Sequence, residues 1–333
     1  MAPAGAVGRF LGEVGYKNTP DLLGWMELAE GDDRSALAVV HRFIQNQGDA
    51  WSVTGAFLDR FIDEQRLVAT EPPGESLELA SYLQRVTQIG RRTLEMQQAL
   101  ASRSDNPDFA PEPVARQDVA AWTQRLLERS NHVFELMSRR RTEFSEADRV
   151  MMDRVLDARD AIAAHIRVAL APTIDTLKIR HHGDFHLGQV LIAKDDAFIL
   201  DFEGEPRRPL AERRGKAPAA RDVAGLIRSI DYSTTSALMR ATNLTAEERL
   251  ALTPKLYTWR DRATEAFWEA SRAPADSRLW PADPAEARRP LDFFLLEKAF
   301  YELEYEMTNR PAWLQVPLAG LWRILLQHGV VQP

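Results

Sequence analysis

The side chains able to do chemistry gather in one stretch, His181-His182-Gly183-Asp184-Phe185-His186-Leu187-Gly188-Gln189, followed by Phe198-Ile199-Leu200-Asp201-Phe202-Glu203-Gly204-Glu205-Pro206. Within the first run, a loop packs His182, Asp184, His186 and Gln189 into eight positions. After a strand returns, Asp201, Glu203 and Glu205 lie on or just beyond its end. If that end lies beside the loop, three or more carboxylates converge on one spot. Convergent carboxylates repel one another unless a cation sits between them, so a hard, oxygen-preferring ion is implied, most simply Mg²⁺. Gln189 offers the same ion a neutral amide oxygen, and Asp184, placed off the metal, can accept a hydroxyl proton. One acidic base, one amide ligand and one acidic ligand from a second strand are the parts of a Mg·ATP phosphotransfer site. In such a reaction positioning and charge neutralisation dominate over covalent work. A His-rich turn can instead merely cap strands, and Asp-Phe-Glu-Gly can be a solvated turn, but both halves flanking one hairpin favour the functional reading. A metalloprotease reading fails, because His182 and His186, though four positions apart, fall in a Gly-containing loop rather than on a helix.

The elements that must position these groups follow from pattern. Leu22–Leu28 and Ala36–Ile44 read as two strands joined by Glu30-Gly31-Asp32-Asp33. Trp51 to Gln65 reads as a helix, and a second helix with Ser76 as its N-cap is expected to run to about Ala101. Val119, Trp122, Leu126, Val133 and Met137 form an apolar helical stripe, and Met151, Val155, Ala158, Ile162, Ile166 and Ala169 form another, ended by Pro172. Leu177–Arg180, Gln189–Ala193 and Ala197–Asp201 are short strands, the last two a hairpin. Helices return over Ala219–Ala241, Thr245–Ala273, Ala285–Met307 and Pro317–Gln327, with a Pro-rich surface loop from Ala273 to Pro284. This order predicts a two-lobed α+β protein rather than an alternating βαβ sheet.

Composition excludes several classes. The chain of 333 residues carries 42 Lys and Arg against 49 Asp and Glu, a formal charge of −7, which argues against nucleic acid and anionic membrane as partners. The absence of cysteine removes disulfides, a thiolate nucleophile and cysteine-ligated metal centres. No apolar run approaches a membrane span, and the first residues are too short and uncharged for a signal peptide, so a cytoplasmic protein is expected.

The pair His182–Gln189 and Ile199–Pro206 resembles the maltokinases, relatives of the aminoglycoside phosphotransferases within the protein-kinase-like fold. The wider group carries Asn where this chain has Gln189, and Gln marks the maltokinase branch. The resemblance extends through Phe10–Gly24, Phe43–Trp51, Arg221–Ser229, Tyr301–Glu306 and Asn309–Leu314. It implies a partial N-terminal β lobe with hinge over residues 1–50 and a large, mainly helical C-terminal lobe over 51–333, with the catalytic loop at 177–206. The activity implied is ATP-dependent phosphorylation of maltose to maltose 1-phosphate, in a free-standing enzyme or one fused to or partnered by a trehalose synthase. Asp184 would be the base, with His186 steadying the loop or the transferring phosphate. Gln189 and Asp201 would hold Mg²⁺, with Glu203 an auxiliary acid beside it. Phe43, Ile44 and Gln45 fall where the hinge backbone would meet the adenine of ATP.

The same resemblance calls for a phosphate-anchoring lysine on an early strand, an acid on the next helix and a Gly-rich loop. The first lobe holds one lysine, Lys17, in a turn, and the acid's place near Ala6 holds small residues. The front of the lobe therefore reads as absent, and weak Mg·ATP binding with poor turnover is expected of the chain alone. Two other readings stand beside maltose: a kinase for another hydroxyl acceptor such as an aminoglycoside, and a non-catalytic module that binds sugar or a trehalose synthase. Glu297, Tyr301 and Tyr305, spaced at i, i+4 and i+8, would suit a sugar if they share an exposed helix face, with Tyr232 a weaker candidate. Arg207, Arg208, Arg213, Arg214 and Lys216 form a basic run expected to be a solvated, mobile segment rather than a phosphate or partner site.

Overall fold

The structure is a computed structural model that describes residues 3–30, 33–67, 77–272 and 278–332. It opens on α1 (Pro3–Glu13), followed by the hairpin of β1 (Leu22–Glu30) and β2 (Asp33–His41), then α2 (Ala50–Leu67) and α3 (Leu77–Leu100). Next come β3 (Glu112–Pro113), α4 (Arg116–Arg140), α5 (Glu146–Asp157), α6 (Arg159–Ala169) and β4 (Leu177–Arg180). The site region holds β5 (Val190–Ala193), β6 (Asp196–Ile199), α7 (Leu210–Arg213) and β7 (Lys216–Pro218). The chain ends in α8 (Ala220–Arg240), α9 (Ala246–Ser271), α10 (Pro284–Asn309) and α11 (Gln315–Gln327). The fold is thus mixed, mostly helical, with three small antiparallel sheets among the described residues: β1-β2, β3-β4-β7 and β5-β6. No helix among the described residues is long and apolar enough to cross a membrane.

The centre is α8, which packs against α9, α10 and α11 and is buried along nearly its whole length. Its neighbour α10 buries Leu291, Phe293, Phe294, Leu296, Phe300, Leu303 and Met307 against it and against α4, where Phe134 meets Phe300 edge-on. Both expected stripes of the middle region are buried or packed on this core. The site hairpin β5-β6 is tied to the rest at three points. Gln47 donates to the Ile192 carbonyl at 2.8 Å and Ile192 donates to that of Gly48 at 3.0 Å, which fastens the segment after β2 to β5. Asn18 donates to the Ala197 carbonyl at 3.0 Å, and Arg92 of α3 grips Asp196 through Nε and Nη2, both at 2.7 Å.

Several expectations shift. Pro3–Glu13, to which no element was assigned, is a helix; Val7, Phe10 and Leu11 bury one face, and Phe10 stacks on Phe109 at 3.8 Å. The stripe from Met151 to Ala169 is split at Ala158 into α5 and α6. Gln189 closes a short 3-10 turn before β5, and Asp201 lies past the end of β6 with φ 56, the left-handed region that Asp tolerates better than most residues. The basic run is solvated only in part: Arg207 and Arg214 are exposed, and the other three cations are held. Arg208 bonds Glu297 at 3.0 Å, Arg213 faces Glu203 at 3.7 Å and Lys216 bonds Glu112 at 2.6 Å. Of the Pro-rich loop, Leu279 and Trp280 are buried; residues 273–277 and the proposed cap Ser76 lie outside the described residues. The hairpin β1-β2 leaves Leu23, Trp25, Met26, Leu28, Leu37 and Val40 exposed.

The α3–α9 contact that supports the site hairpin depends on Gly90, where a Cβ would stand 2.7 Å from Ala270 Cβ and 2.8 Å from the Phe267 carbonyl oxygen. Backbone cannot yield to such a contact cheaply. Gly90→Ala is predicted to destabilise the protein by about 1–3 kcal/mol, read as a lower urea midpoint in an equilibrium unfolding curve.

Candidate active site

Strand β4 delivers the loop 181–189 onto one face of α8, and three residues of that face hold it. Asp222 accepts the backbone N–H of His182 at 2.8 Å and of Gly183 at 3.0 Å, one on each carboxylate oxygen. One turn on, Gly225 lies under Phe185, where a Cβ would stand 2.6 Å from the Phe185 carbonyl oxygen. Ser229, a further turn along, takes the N–H of Leu187 at 3.1 Å. The spacing 222, 225, 229 is a single helical stripe, so the shape of the loop is copied from a rigid element. Gly183 has φ +87 and a Cβ there would come within 3.2 Å of Gly204 Cα, so the loop and the segment after Asp201 lie against each other. His182 bonds the Leu200 carbonyl at 2.7 Å, and its ring packs between Phe185 and Phe202.

This scaffold presents Asp184, with a side chain 20% exposed, to Lys298 Nζ at 3.5 Å and to His186 Nε2 at 4.0 Å. Burial works to raise the Asp184 pKa, but Lys298, then His186 and His182, outweigh it and hold the carboxyl below its ordinary range. His186 is held below its usual value by burial, with Asp184 opposing. An ionised carboxylate beside a neutral imidazole suits proton acceptance from a hydroxyl.

Gln189 and Asp201 do meet, the amide nitrogen donating to Asp201 Oδ2 at 3.1 Å. Burial and then Asp201 push the Glu203 pKa up, and Glu203 turns toward Arg213. No group of three or more His, Asp or Glu side chains placed to hold a metal occurs among the described residues. The pair Gln189–Asp201 nevertheless fits Mg²⁺, which commonly takes one or two carboxylates and completes its shell with phosphates and water. Turning the amide would present its oxygen beside Asp201.

Asp184 and His186 open onto a cleft of about 760 Å³. Its wall includes the carboxylates of Asp49, Asp184, Glu205, Glu302 and Glu306, against the cations Arg207, Lys298 and Arg310. Tyr232, Tyr301, Tyr305, Trp51 and Trp313 supply aromatic surface. Tyr301 and Tyr305 thus reach the cleft expected of them. Tyr232 reaches it too, buried, with its hydroxyl donating to Glu306 at 3.3 Å. Glu297 does not. It lies behind Asp184, its Oε1 bonded by Arg208 and Arg221, each at 3.0 Å. Burial would raise its pKa, but Arg221 and Arg208 hold it down at about 2. The helical spacing of 297 with 301 and 305 is real, but the helix is buried on that side. Phe43, Ile44 and Gln45 follow β2 and are not on the cleft wall; Phe43 is 83% exposed, and the Ile44 carbonyl accepts from Asn46 at 2.8 Å.

Lys298, Asp222 and Glu302 stand in or behind the cleft and were passed over by the sequence reading. Lys298 had a signal, one residue after Glu297 and three before Tyr301, but a lone lysine on a helix usually points to water. Asp222 sits in Arg221–Ser229, a stretch recognised only as a match.

No protein-family model matches the chain. Among curated proteins it is similar to the glucosamine kinase of Streptacidiphilus jiangxiensis, 29% identical over 315 residues, 95% of this chain and 64% of that protein. It is also similar to the glucosamine kinase of Mycolicibacterium smegmatis, 25% identical over 328 residues, 97% of this chain and 71% of that protein. The chain therefore spans just under two thirds of the length of the first of these relatives. Among solved structures it resembles a glucosamine kinase in complex with glucosamine, ADP and inorganic phosphate, with a TM-score of 0.74, 25% identity, and coverage of 98% of this chain and 73% of that one. A second crystal form gives the same TM-score at 24% identity, covering 98% of this chain and 70% of that one, a likeness of fold. The mixed helical fold is thus that of a sugar kinase. These relatives and structures are glucosamine kinases.

His181, under the loop, carries a pH dependence. Burial lowers its pKa to about 4, with Asp222 opposing, and its Nδ1 has no hydrogen-bond partner among the described residues. The unfolded chain, with a histidine pKa of about 6.5, binds the proton first as pH falls. The stabilisation is thus fully present above about pH 6.5 and is lost as pH falls toward 4, by roughly 3 kcal/mol over that window. Urea unfolding at pH 7 and pH 5 should show a smaller acid loss for His181→Phe than for the wild type; equal losses would contradict the assignment.

Proposed function

We propose that this chain is an ATP-dependent sugar phosphotransferase whose acceptor is an amino sugar, glucosamine in the first instance. The observation that carries this is the ionised Asp184, held by Lys298 at 3.5 Å, opening onto a cleft with five carboxylates against three cations. The complex named for the structural neighbour supports the reading, since it contains glucosamine, ADP and inorganic phosphate. Asp184 takes the proton of the acceptor hydroxyl as its oxygen bonds to the γ-phosphorus, while the bond from that phosphorus to the β–γ bridging oxygen of ATP breaks. The products are a sugar phosphate and ADP. Lys298 stands within reach of the same carboxylate and keeps it in its basic form. Gln189 and Asp201 would hold Mg²⁺, which supplies neutralising charge for the phosphates.

An excess of acid on the wall favours a protonated amine, and the tyrosines and tryptophans offer faces to the sugar ring. Maltose and a trehalose synthase partner, implied by the sequence resemblance, have no support in the relatives found. We assign residues 1–50 to a partial first lobe with Phe43, Ile44 and Gln45 at the hinge, and 51–333 to the helical lobe of a two-lobed kinase-like fold.

The test is incubation of the chain with Mg·ATP and glucosamine, with mass spectrometry of the sugar. A product heavier by one phosphoryl group is expected, dependent on Mg²⁺ and lowered about 10²-fold or more in kcat by Asp184→Asn. Failure of glucosamine both to bind and to be phosphorylated, or full activity of the variant, would refute the proposal.

A further inference from the structure

Glu302 and Glu306 stand one turn apart on α10 in the cleft wall and are held from different directions. Glu306 is gripped by Arg310 on its own helix, with Nη2 at 2.5 Å and Nε at 3.0 Å. Glu302 is held from behind. Arg228 of α8 donates to it from Nε at 2.9 Å and Nη2 at 2.6 Å, and both bonds fall on Oε2. The remaining nitrogen, Nη1, donates to Asp231 at 2.5 Å. Asp231 is bonded in turn by Arg323 of α11, and Arg260 of α9 stands 3.7 Å from it.

Arg228 is 2% exposed and Glu302 8%, so the pair has lost nearly all its water. Space for the guanidinium comes from Gly320 of α11, where a Cβ would stand 2.3 Å from Nη1 and 2.6 Å from Nη2. Glycine inside a helix costs about 1 kcal/mol relative to alanine, and here the arginine is what requires it. Four helices thus converge to fix one carboxylate. A buried ion pair is a weak source of stability, since apolar residues of similar size often serve as well. The arrangement makes more sense as a way of presenting a charge. With Oε2 taken by Arg228, Oε1 remains for a donor in the cleft.

We propose that Arg228 is a positioning residue for the acceptor. It fixes Glu302 in the cleft wall in one orientation, to take an N–H or O–H of the sugar, and Gly320 admits its guanidinium. The nature of the ligand rests on the sugar-kinase reading above; the grip of Arg228 on Glu302 does not.

The experiment compares the full chain with Arg228→Met, Arg228→Lys, Glu302→Gln and the Arg228→Met/Glu302→Gln pair. Glucosamine and Mg·ADP binding are measured by calorimetry, and the Glu302 carboxyl is titrated by carbon-13 NMR, with Glu302→Gln giving its assignment. Arg228→Met and Glu302→Gln are each expected to weaken glucosamine binding about tenfold or more, with Arg228→Lys recovering part of the loss. Mg·ADP binding should stay within about twofold, and the double variant should bind no more weakly than the worse single one. In Arg228→Met the Glu302 carboxyl should titrate at higher pH, because the cation beside it is gone. Equal loss of both ligands, additive losses, or an unmoved Glu302 titration would overturn the proposal. If Arg228→Met does not fold, Gly320→Ala displaces the guanidinium and is held to the same expectations. A wild-type chain that binds no glucosamine would overturn the acceptor assigned above, while the Glu302 titration would still decide the role of Arg228.

Discussion

A carboxylate taken out of water must be given a cation or several hydrogen-bond donors, and the helical layer of this protein is organised around that requirement. Asp222 is satisfied by two loop amides, Glu297 by Arg208 and Arg221, and Glu302 with Asp231 by Arg228. These partners pin α8 to the loop 181–189 and to α10, the two elements that carry the reacting and ligand-facing groups. Two carboxylates of the cleft wall, Asp184 and Glu205, are partnered more lightly. Asp184 has Lys298 at 3.5 Å, and Glu205 has the same ammonium at 4.0 Å.

The consequence for chemistry is positional. Asp184 lies between residues whose backbone is bonded to a central helix, so little motion is left to it. Preorganisation of this kind is what a phosphoryl transfer asks of its protein. Gln189 and Asp201 come from the two ends of one hairpin, and the hairpin is tied to α3 through Asp196 and to the segment after β2 through Ile192. The base and the candidate metal ligands are therefore set by separate anchors that meet at the loop.

Much of this was legible in the sequence. The loop, the hairpin and β4 were read from turn residues and short apolar runs, because local chemistry alone decides them. The stripes of α4, α5 and α6 were legible in the same way. What escaped was long-range. Glu297 shares a helical face with Tyr301 and Tyr305, and spacing gave no sign that Arg208 and Arg221 would close over that acid. Lys298, Asp222 and Arg228 look like ordinary helix charges until α8 and α10 are packed together. The helix α1 went unassigned although Val7, Phe10 and Leu11 have helical spacing, three apolar positions being a short stripe to read. The acceptor was read as maltose from Gln189 and the matches flanking the loop; the charge of the cleft, which bears on that choice, exists only after folding.

The most direct measurement is the ratio of kcat/KM for glucosamine to that for glucose on the same preparation with Mg·ATP. The two sugars differ by one amine for one hydroxyl, so the ratio isolates the effect of charge in the cleft. Five carboxylates against three cations predict a preference for glucosamine of about tenfold or more, falling as salt is raised. A ratio near one, or a preference for glucose, would contradict the account.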